Sequence, residues 1–328
     1  MHPTKENLLK VVRDHKKPDW TPTYFDSCFN AGLAGMDLEN GPPGGGDDAF
    51  GVTWLSTPSA GSGLTTLPGK YVLDDITRWK EVVQFPDVWS FDWESYAQRA
   101  YPPFFNDETM LRSFSVSGPF QRMYLLMGFE NCLCDMAMEP EATYDFMSAV
   151  ADYNIEMMKA AKKHLKLDIF DLAEDMATGS SLFMSPDTYR ELIKPHHRQI
   201  FEAARNEGLI VEQHTCGKAD AIADDLVELG VDIWQSVQPI NDMEAVLQKY
   251  SDRLALVGGF DSIGEAARTA DPDVIRREVR RCYDTYGKYD GFVFWGFLLM
   301  DDPKVVAPRM QAMIQEGIEY PRKIKNLL

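Results

Sequence analysis

Residues 209–230 read LIVEQHTCGKADAIADDLVELG, and this stretch decides the fold. Residues 209–213 form a short apolar run, which predicts a strand, while residues 218–229 have the spacing of an amphipathic helix that ends at Gly230. A strand followed at once by a helix is one βα unit, from which parallel sheets are built.

The same alternation of apolar runs and helical patterns continues on both sides of this stretch. Further helices are predicted at residues 187–207, after the N-cap and proline of Ser185-Pro186, and at residues 273–286. Strands are predicted at residues 21–25, 51–55, 113–117, 168–172, 209–213, 231–237, 254–257 and 291–297. Eight such strands predict an α/β fold, a single (β/α)8 TIM barrel over residues 1–328 with an N-terminal extension.

Residues 41–70 interrupt this pattern with a segment rich in glycine, proline and serine. Gly44-Gly45-Gly46 stands near one end and Ser59-Ala60-Gly61-Ser62-Gly63 nearer the other, with Trp54 between them. A long segment with an apolar centre is typical of a loop that caps one face of a barrel. We therefore expect a capping loop within one domain.

Composition and charge exclude several function classes. The 328 residues are 45% hydrophobic, which is enough for a large core. A formal charge of -18 and the lack of a basic stripe argue against nucleic acid, anionic membranes and heavily carboxylated substrates as partners. Five scattered cysteines favour reduced thiols, and no run is apolar enough for a leader or a membrane span, so we expect a cytoplasmic protein. A homodimer is compatible with these features of the sequence.

Polar residues at strand ends are the candidates for chemistry, because the carboxyl ends of barrel strands build the active site. These residues are Glu174, Asp175, His214, Cys216, Gln235, Gln238 and Asp261. Glu174 and Asp175 would supply an oxygen ligand and a base, although adjacent carboxylates before a helix also occur simply as favourable charge at its N-terminus. Asp175 and Asp261 are the candidate catalytic acids or substrate anchors.

His214 and Cys216 form the best-marked pair. They lie two residues apart on an extended segment, so both side chains point to the same side and can hold one ion. An imidazole nitrogen and a thiolate sulfur suit Zn²⁺, which takes about four tetrahedral ligands. The alternative is a buried histidine beside an inert cysteine.

Aromatic residues near the same strand ends are candidate pocket walls. Trp54, Trp234 and Trp295, with Tyr24, would line a pocket for a compact, largely uncharged or aromatic substrate, and Gln238 would contact it. The alternative is that these rings belong to the core, where barrel aromatics usually lie.

Five ordered stretches of this sequence resemble the uroporphyrinogen decarboxylase superfamily. They are Asp171-Leu-Ala-Glu-Asp-Met-Ala177, Ser185-Pro-Asp-Thr-Tyr-Arg-Glu-Leu-Ile-Lys-Pro195, His214-Thr-Cys-Gly217, Leu229-Gly-Val-Asp232 and Gly258-Gly-Phe-Asp261, with Phe114-Ser-Val-Ser-Gly-Pro-Phe120 as weaker support. The resemblance implies a TIM barrel and an enzyme, since the superfamily holds decarboxylases and corrinoid-linked methyltransferases.

Two features indicate which branch the chain resembles. The decarboxylases carry an arginine-rich N-terminal stretch that binds an acidic porphyrinogen, whereas Tyr24-Phe-Asp-Ser-Cys-Phe-Asn30 has no arginine. His214 and Cys216 resemble the first two zinc ligands of the methyltransferases that serve coenzyme M. Those enzymes take a third ligand from a cysteine after the last strand, and Phe292-Val-Phe-Trp-Gly-Phe297 has none. Either a carboxylate such as Glu174 replaces that cysteine, or the metal is absent.

The resemblance and the residues together predict a zinc-assisted methyltransferase. It would move a methyl group between a small organic donor, methoxyaromatic as in an O-demethylase or methylamine-like, and a corrinoid (cobalamin) carried by a separate protein. Two alternatives remain: a metal-free decarboxylase, and a ligand-binding barrel without catalysis. Metal content separates the first alternative from the methyltransferase.

Overall fold

The computed structural model of the chain describes residues 1–56, 64–298 and 303–327. Seven strands form one curled parallel sheet in the order β1-β5-β6-β7-β8-β9-β10. Their bounds are β1 Cys28–Asn30, β5 Leu111–Ser117, β6 Ile169–Ala173, β7 Ile210–His214, β8 Ile233–Val237, β9 Ala255–Gly259 and β10 Phe292–Trp295. A second sheet is antiparallel and consists of β2 Gly45–Asp47, β3 Thr53–Ser56 and β4 Leu64–Thr66.

Helices follow most strands of the large sheet. They are α1 Pro3–Val12, α2 Tyr24–Ser27, α3 Trp79–Val82, α4 Trp93–Ala100, α5 Pro119–Met127, α6 Phe129–Met138, α7 Pro140–Leu165, α8 Pro186–Thr188, α9 Lys194–Asn206, α10 Ala223–Glu228, α11 Met243–Tyr250, α12 Glu265–Arg268, α13 Pro272–Tyr286 and α14 Pro303–Ile324. Short 3₁₀ turns cover Ala31–Ala34, Ile76–Arg78 and Asp220–Ile222, and a π turn, Tyr189–Ile193, joins α8 to α9. Within the described ranges, no helix combines the length and apolar character needed to cross a bilayer.

The predicted complete eight-stranded barrel is found only in part. Residues 21–25 do not form a strand, because the Thr23 side chain caps α2 by accepting the Phe25 N–H at 3.3 Å. Thr23 makes one isolated parallel bridge to Phe294, and the Phe294 N–H donates to the Pro22 carbonyl at 2.9 Å. This bridge links the last strand to the segment before the first.

The predicted strand at residues 51–55 is also placed differently. It corresponds to β3, which lies in the antiparallel sheet and pairs with β2 and β4 instead of joining the parallel sheet. Gly51 adopts a φ of +85° in the turn between β2 and β3, where its N–H donates to the Asp48 carbonyl at 2.9 Å. The stretch Ser59–Gly63 of the expected capping loop lies outside the described residues, and the extent of a single domain stays a prediction.

Alternate residues of the parallel strands point to the interior of the curled sheet, and their first residues form an apolar layer there. Ile169, Ile210, Ile233 and Ala255, each the first residue of its strand, pack with Leu8, Leu9, Val11 and Val12 of α1. The amino-terminal ends of the strands are therefore closed by α1. Polar interior residues lie further along each strand, toward the carboxyl ends.

A buried ion pair attaches the chain around residues 39–50 to the start of α5. The Arg122 guanidinium lies 3.0 Å from a Glu39 carboxylate oxygen and 3.9 Å from one of Asp48, and it stacks over the Phe50 ring at 4.2 Å. The side chain of Arg122 is 1% exposed. Glu39 also accepts the Ser117 N–H at 2.8 Å, so this cluster reaches the carboxyl end of β5.

Replacing Arg122 should strongly destabilise the fold. In Arg122→Met, Glu39 and Asp48 lose their buried counter-charge, and the free energy of unfolding should fall by about 3–5 kcal/mol. Urea unfolding followed by circular dichroism measures this. Arg253→Met, which removes an exposed arginine paired with Asp252, is the matched control and should change stability by less than about 1 kcal/mol. Equal effects of the two changes would contradict a special role for the buried pair.

Candidate active site

Two neighbouring strands supply most of the polar residues in the interior. On β6, Asp171 points inward, and Asp175 follows four residues later in the loop; on β7, Glu212 and His214 share one face. The strands pair with Asp171 opposite Glu212 and Ala173 opposite His214. Register therefore sets two polar levels, one within the strands and one at their carboxyl ends.

The upper level is a cluster of Asp175, His214 and Cys216. One potential ligand atom from each residue lies within 4.8 Å of the others. The His214 Nε2 atom is 3.5 Å from the Cys216 sulfur and 3.6 Å from an Asp175 carboxylate oxygen. A carboxylate, an imidazole and a thiol thus converge on one point, as a metal centre requires.

Backbone contacts in the loop after β7 hold this cluster. The Cys216 N–H donates to the Asp175 carboxylate at 2.8 Å, and the Gly217 N–H donates to the Gln238 side-chain oxygen at 3.1 Å. Gly217 has a φ of +84°, and an added Cβ would lie 2.6 Å from the carbonyl oxygens of Ala177 and Thr178. Only glycine fits there, so Gly217 lets the loop pass close to the segment that follows β6.

The orientation of the His214 ring is set by Gln235 on β8. The His214 Nδ1 atom hydrogen-bonds to the Gln235 side-chain oxygen, and since that oxygen only accepts, Nδ1 carries the proton. In the neutral ring, Nε2 therefore carries the lone pair, and this atom faces Cys216 and Asp175. Burial lowers the pKa of His214, but the interactions of the ring with Cys216, Asp175 and Asp171 together raise this pKa well above the ordinary histidine value.

Next to the cluster, a cavity of about 460 Å³ enters the interior of the sheet. Its walls are mostly aromatic and apolar, with His214 and Gln235 on one side and Asp171, Glu212 and Ser113 deeper inside. The aromatic lining residues are Tyr24, Phe25, Phe29, Phe104 and Trp295. Among the described residues that line it there is no lysine or arginine. Tyr24 and Trp295 thus line a cavity beside the cluster, and their contact with a substrate stays a prediction.

The other expected pocket residues lie elsewhere. Trp54 is in the small antiparallel sheet, where its Nε1–H donates to the buried Asp48 at 2.8 Å. Trp234 is fully buried and points outward to the helices, because its strand neighbours Ile233 and Gln235 point inward. Gln238 supports the loop at Gly217 and does not line the cavity. These three residues lie outside the lining of this cavity, and substrate contact by them stays a prediction.

The two remaining carboxylates are also removed from the cluster. Glu174 points away from the interior and is fully buried against the His197 ring, with 3.1 Å between its carboxylate and Nε2. Asp175, and not Glu174, is therefore the carboxylate beside His214 and Cys216. Asp261 accepts the N–H groups of Ile263 and Gly264 and so stabilises the turn after β9, outside the cluster; its role as a catalytic acid stays a prediction.

Sequence reasoning missed Asp171 and Glu212. Asp171 is 2% exposed and accepts hydrogen bonds from Ser115 and Asn30, while Glu212 accepts the Tyr24 hydroxyl at 2.5 Å. Burial raises the pKa of both carboxyls. The signal that points to them is the period of two, since Glu212 lies two residues before His214 and Asp171 four before Asp175.

Comparison with known proteins identifies the family of this chain. Residues 104–295 match the family of uroporphyrinogen decarboxylase (URO-D). The chain belongs to the uroporphyrinogen decarboxylase family. Membership of this URO-D family supports an enzymatic function of the decarboxylase or methyl-transfer type. No match to a curated protein was found.

Among solved structures, a methyltransferase from Methanosarcina mazei has a similar fold. The alignment covers 97% of this chain and 98% of that chain, with a TM-score of 0.65 and 15% sequence identity. Two more distant structures are a TcOYE with pHBA (TM-score 0.33, 10% identity, 70% and 75% covered) and an amidohydrolase (TM-score 0.25, 13% identity, 54% and 46% covered). Their TM-scores are too low to support a shared fold.

Removing the Tyr24 hydroxyl should destabilise the site from inside. In Tyr24→Phe, the buried Glu212 carboxyl loses its donor, so the free energy of unfolding should fall by about 1–3 kcal/mol. Urea unfolding measures the change, and Tyr71→Phe at a half-exposed tyrosine is the control, expected within about 0.5 kcal/mol of the wild type. An unchanged stability of Tyr24→Phe would argue against the Tyr24–Glu212 hydrogen bond.

Proposed function

We propose that this URO-D family protein is a corrinoid-linked methyltransferase that uses Zn²⁺. The ion would be held by Asp175, His214 and Cys216, and methyl transfer would occur beside them, at the entrance of the cavity. The observation that carries the proposal is the convergence of these three side chains, within 4.8 Å of one another, next to a cavity of about 460 Å³. The fold similarity to a methyltransferase agrees with this assignment.

The donor set fits zinc. In a tetrahedral zinc site with ligand distances of 2.0–2.3 Å, ligand atoms lie roughly 3.3–3.8 Å apart. The His214 Nε2 atom lies 3.5 Å from the Cys216 sulfur and 3.6 Å from the Asp175 oxygen, within this range. Mixed sulfur, nitrogen and oxygen ligands favour zinc over Mg²⁺ or Ca²⁺. Three protein ligands are typical of a catalytic site, where one position is left for substrate.

Each residue then has a defined task. When bound, Zn²⁺ supplies a Lewis acid that polarises a donor heteroatom or lowers the pKa of an acceptor thiol. Gln235 holds the His214 Nδ1–H, so that Nε2 presents its lone pair to the ion. The Cys216 N–H holds the Asp175 carboxylate in place at 2.8 Å. Trp295 and Tyr24 line the cavity, where they would surround the substrate and exclude water from it.

Methyl transfer balances without a redox partner. The bond between the methyl carbon and the donor heteroatom breaks with its electron pair left on the heteroatom, and the electron pair of a cobalt(I) corrinoid substrate forms the new bond to carbon. We place the corrinoid on a separate protein. The absence of lysine and arginine from the described cavity lining argues against a polyacidic porphyrinogen as substrate.

Metal analysis and a transfer assay test the proposal. Protein purified without chelator should contain about one Zn²⁺ per chain and demethylate a methyl donor such as a methoxyaromatic compound in the presence of free cob(I)alamin. Cys216→Ser should lose both properties, because the thiolate ligand is gone. Cys134→Ser, at an exposed cysteine, is the matched control and should keep both. A metal-free wild type with full decarboxylase activity would replace the proposal with the decarboxylase alternative.

A second change tests the positioning of His214. Gln235→Leu removes the hydrogen-bond acceptor for Nδ1, so the ring is no longer held and zinc affinity should fall by about 10- to 100-fold. Competition with a chromogenic chelator measures the affinity. Gln199→Leu, which removes an exposed side chain bonded to Asp152, should bind zinc like the wild type. Unchanged affinity in Gln235→Leu would show that packing alone orients the ring.

A further inference from the structure

The inner end of the cavity carries an acidic floor, formed by Asp171, Glu212 and the neighbouring Ser113. Asp171 and Glu212 are directly paired across β6 and β7, and Ser113 pairs with Ile169 on the adjacent strand. Asp171 and Glu212 lie one inward position deeper than His214, and Ser113 lies two positions deeper, since residues of one face repeat every two along a strand. The floor is therefore separate from the Asp175–His214–Cys216 cluster but opens into the same cavity.

Two oxygen atoms of the floor have no hydrogen-bond partner in the described part of the chain. They are Asp171 Oδ1 and Ser113 Oγ, in side chains of residues that are 2% and 1% exposed. Buried polar atoms are nearly always paired, since an unpaired one costs the free energy of its lost hydration. Both residues line the cavity, so a ligand that donates hydrogen bonds would complete them.

The charge of the floor indicates which kind of donor fits. Asp171 and Glu212 are paired directly across β6 and β7, and each residue is 2% exposed. A positive charge between the two carboxylates would offset their mutual repulsion, and no lysine or arginine of the described lining supplies one. Aromatic rings of Tyr24, Phe29 and Trp295 line the same cavity and favour a cation over an anion.

We propose that the small substrate carries a protonated amino group, which binds between Asp171 and Glu212, while its heteroatom that gives or accepts the methyl group faces Asp175, His214 and Cys216. The position of the heteroatom rests on the proposed methyltransferase function, whereas the binding of the ammonium group does not. Two residues of a strand span about 6.6 Å, so the amine and the heteroatom are separated by roughly three carbon atoms. The ammonium serves as an anchor and takes no part in the bonds that form and break.

A matched series of thiols tests the charge preference on the unmodified protein. Aminopropanethiol, mercaptopropanol and mercaptopropionate have similar lengths and differ in the charge of the group remote from sulfur. Isothermal titration should give the tightest binding for the cationic compound, roughly 10- to 100-fold tighter than for the neutral one, and the weakest for the anion. Equal binding of the three, or tighter binding of the anion, would overturn the inference.

Two variants locate the preference in the floor. Asp171→Asn and Glu212→Gln should each reduce the cationic preference by about tenfold or more, while leaving the neutral thiol little affected. Asp252→Asn and Glu81→Gln, at exposed carboxylates of the same types, are the controls and should retain it. If an interior variant fails to fold, the other variant and the thiol series on the wild type still decide.

Repeating the titrations after chelator treatment separates this inference from the zinc proposal. A cationic preference that persists in the chelator-treated protein supports the acidic floor. If that protein also fails to bind zinc that is added back, the metal centre is removed while the floor stands. Thiols that bind the zinc-loaded protein regardless of charge support the metal centre and overturn the floor as an amine site. Loss of the preference in Asp252→Asn would also count against the floor, since the effect would then follow net charge.

Discussion

The parallel pairing of β6 with β7 is the constraint on which the site depends. Because Asp171 pairs with Glu212 and Ala173 with His214, each strand places its polar residues at matching depths in the sheet interior. The strands continue into loops that bring Asp175 and Cys216 next to His214. A shift of one residue in either strand would turn the inward-facing carboxylate or imidazole toward the helices.

Several buried polar contacts hold this register where the strands end. The Glu174 N–H donates to the His214 carbonyl at 3.0 Å, and the Thr215 hydroxyl donates to the Glu174 carbonyl at 2.7 Å. On the outer side, the Glu174 carboxylate meets His197 and the Gln121 N–H, which ties the end of β6 to α5 and α9. Glu174 thus supports the site from the helix side of the sheet. Its burial raises the pKa of its carboxyl, which the His197 contact counteracts.

The cavity combines two environments along one axis. At its entrance, the sulfur of Cys216, a ring nitrogen of His214 and a carboxylate oxygen of Asp175 lie close together. At its inner end, carboxylates stand within largely aromatic and apolar walls. In a low-dielectric interior, charge interactions are stronger than in water, so such a floor selects the sign of a ligand's charge more sharply than a surface patch does. Methyl transfer would therefore occur at the entrance of the cavity, while other residues at the inner end recognise the charge of the substrate.

The sequence by itself determined the βα alternation, six of the parallel strands and the pairing of His214 with Cys216, since the side-chain period of a strand is local information. It also identified the family through short ordered stretches. Only the tertiary structure decided that Asp175 and not Glu174 joins the pair, that Trp234 faces the helices, and that Trp54 belongs to a separate sheet. The reason is that the direction of a residue in a loop, and the partner of a short strand, depend on contacts far away in the chain. Asp171 and Glu212 combine both kinds of information. The strand period alone predicts that each points to the same side as its polar neighbours, but their burial beside a cavity exists only once the strands have paired.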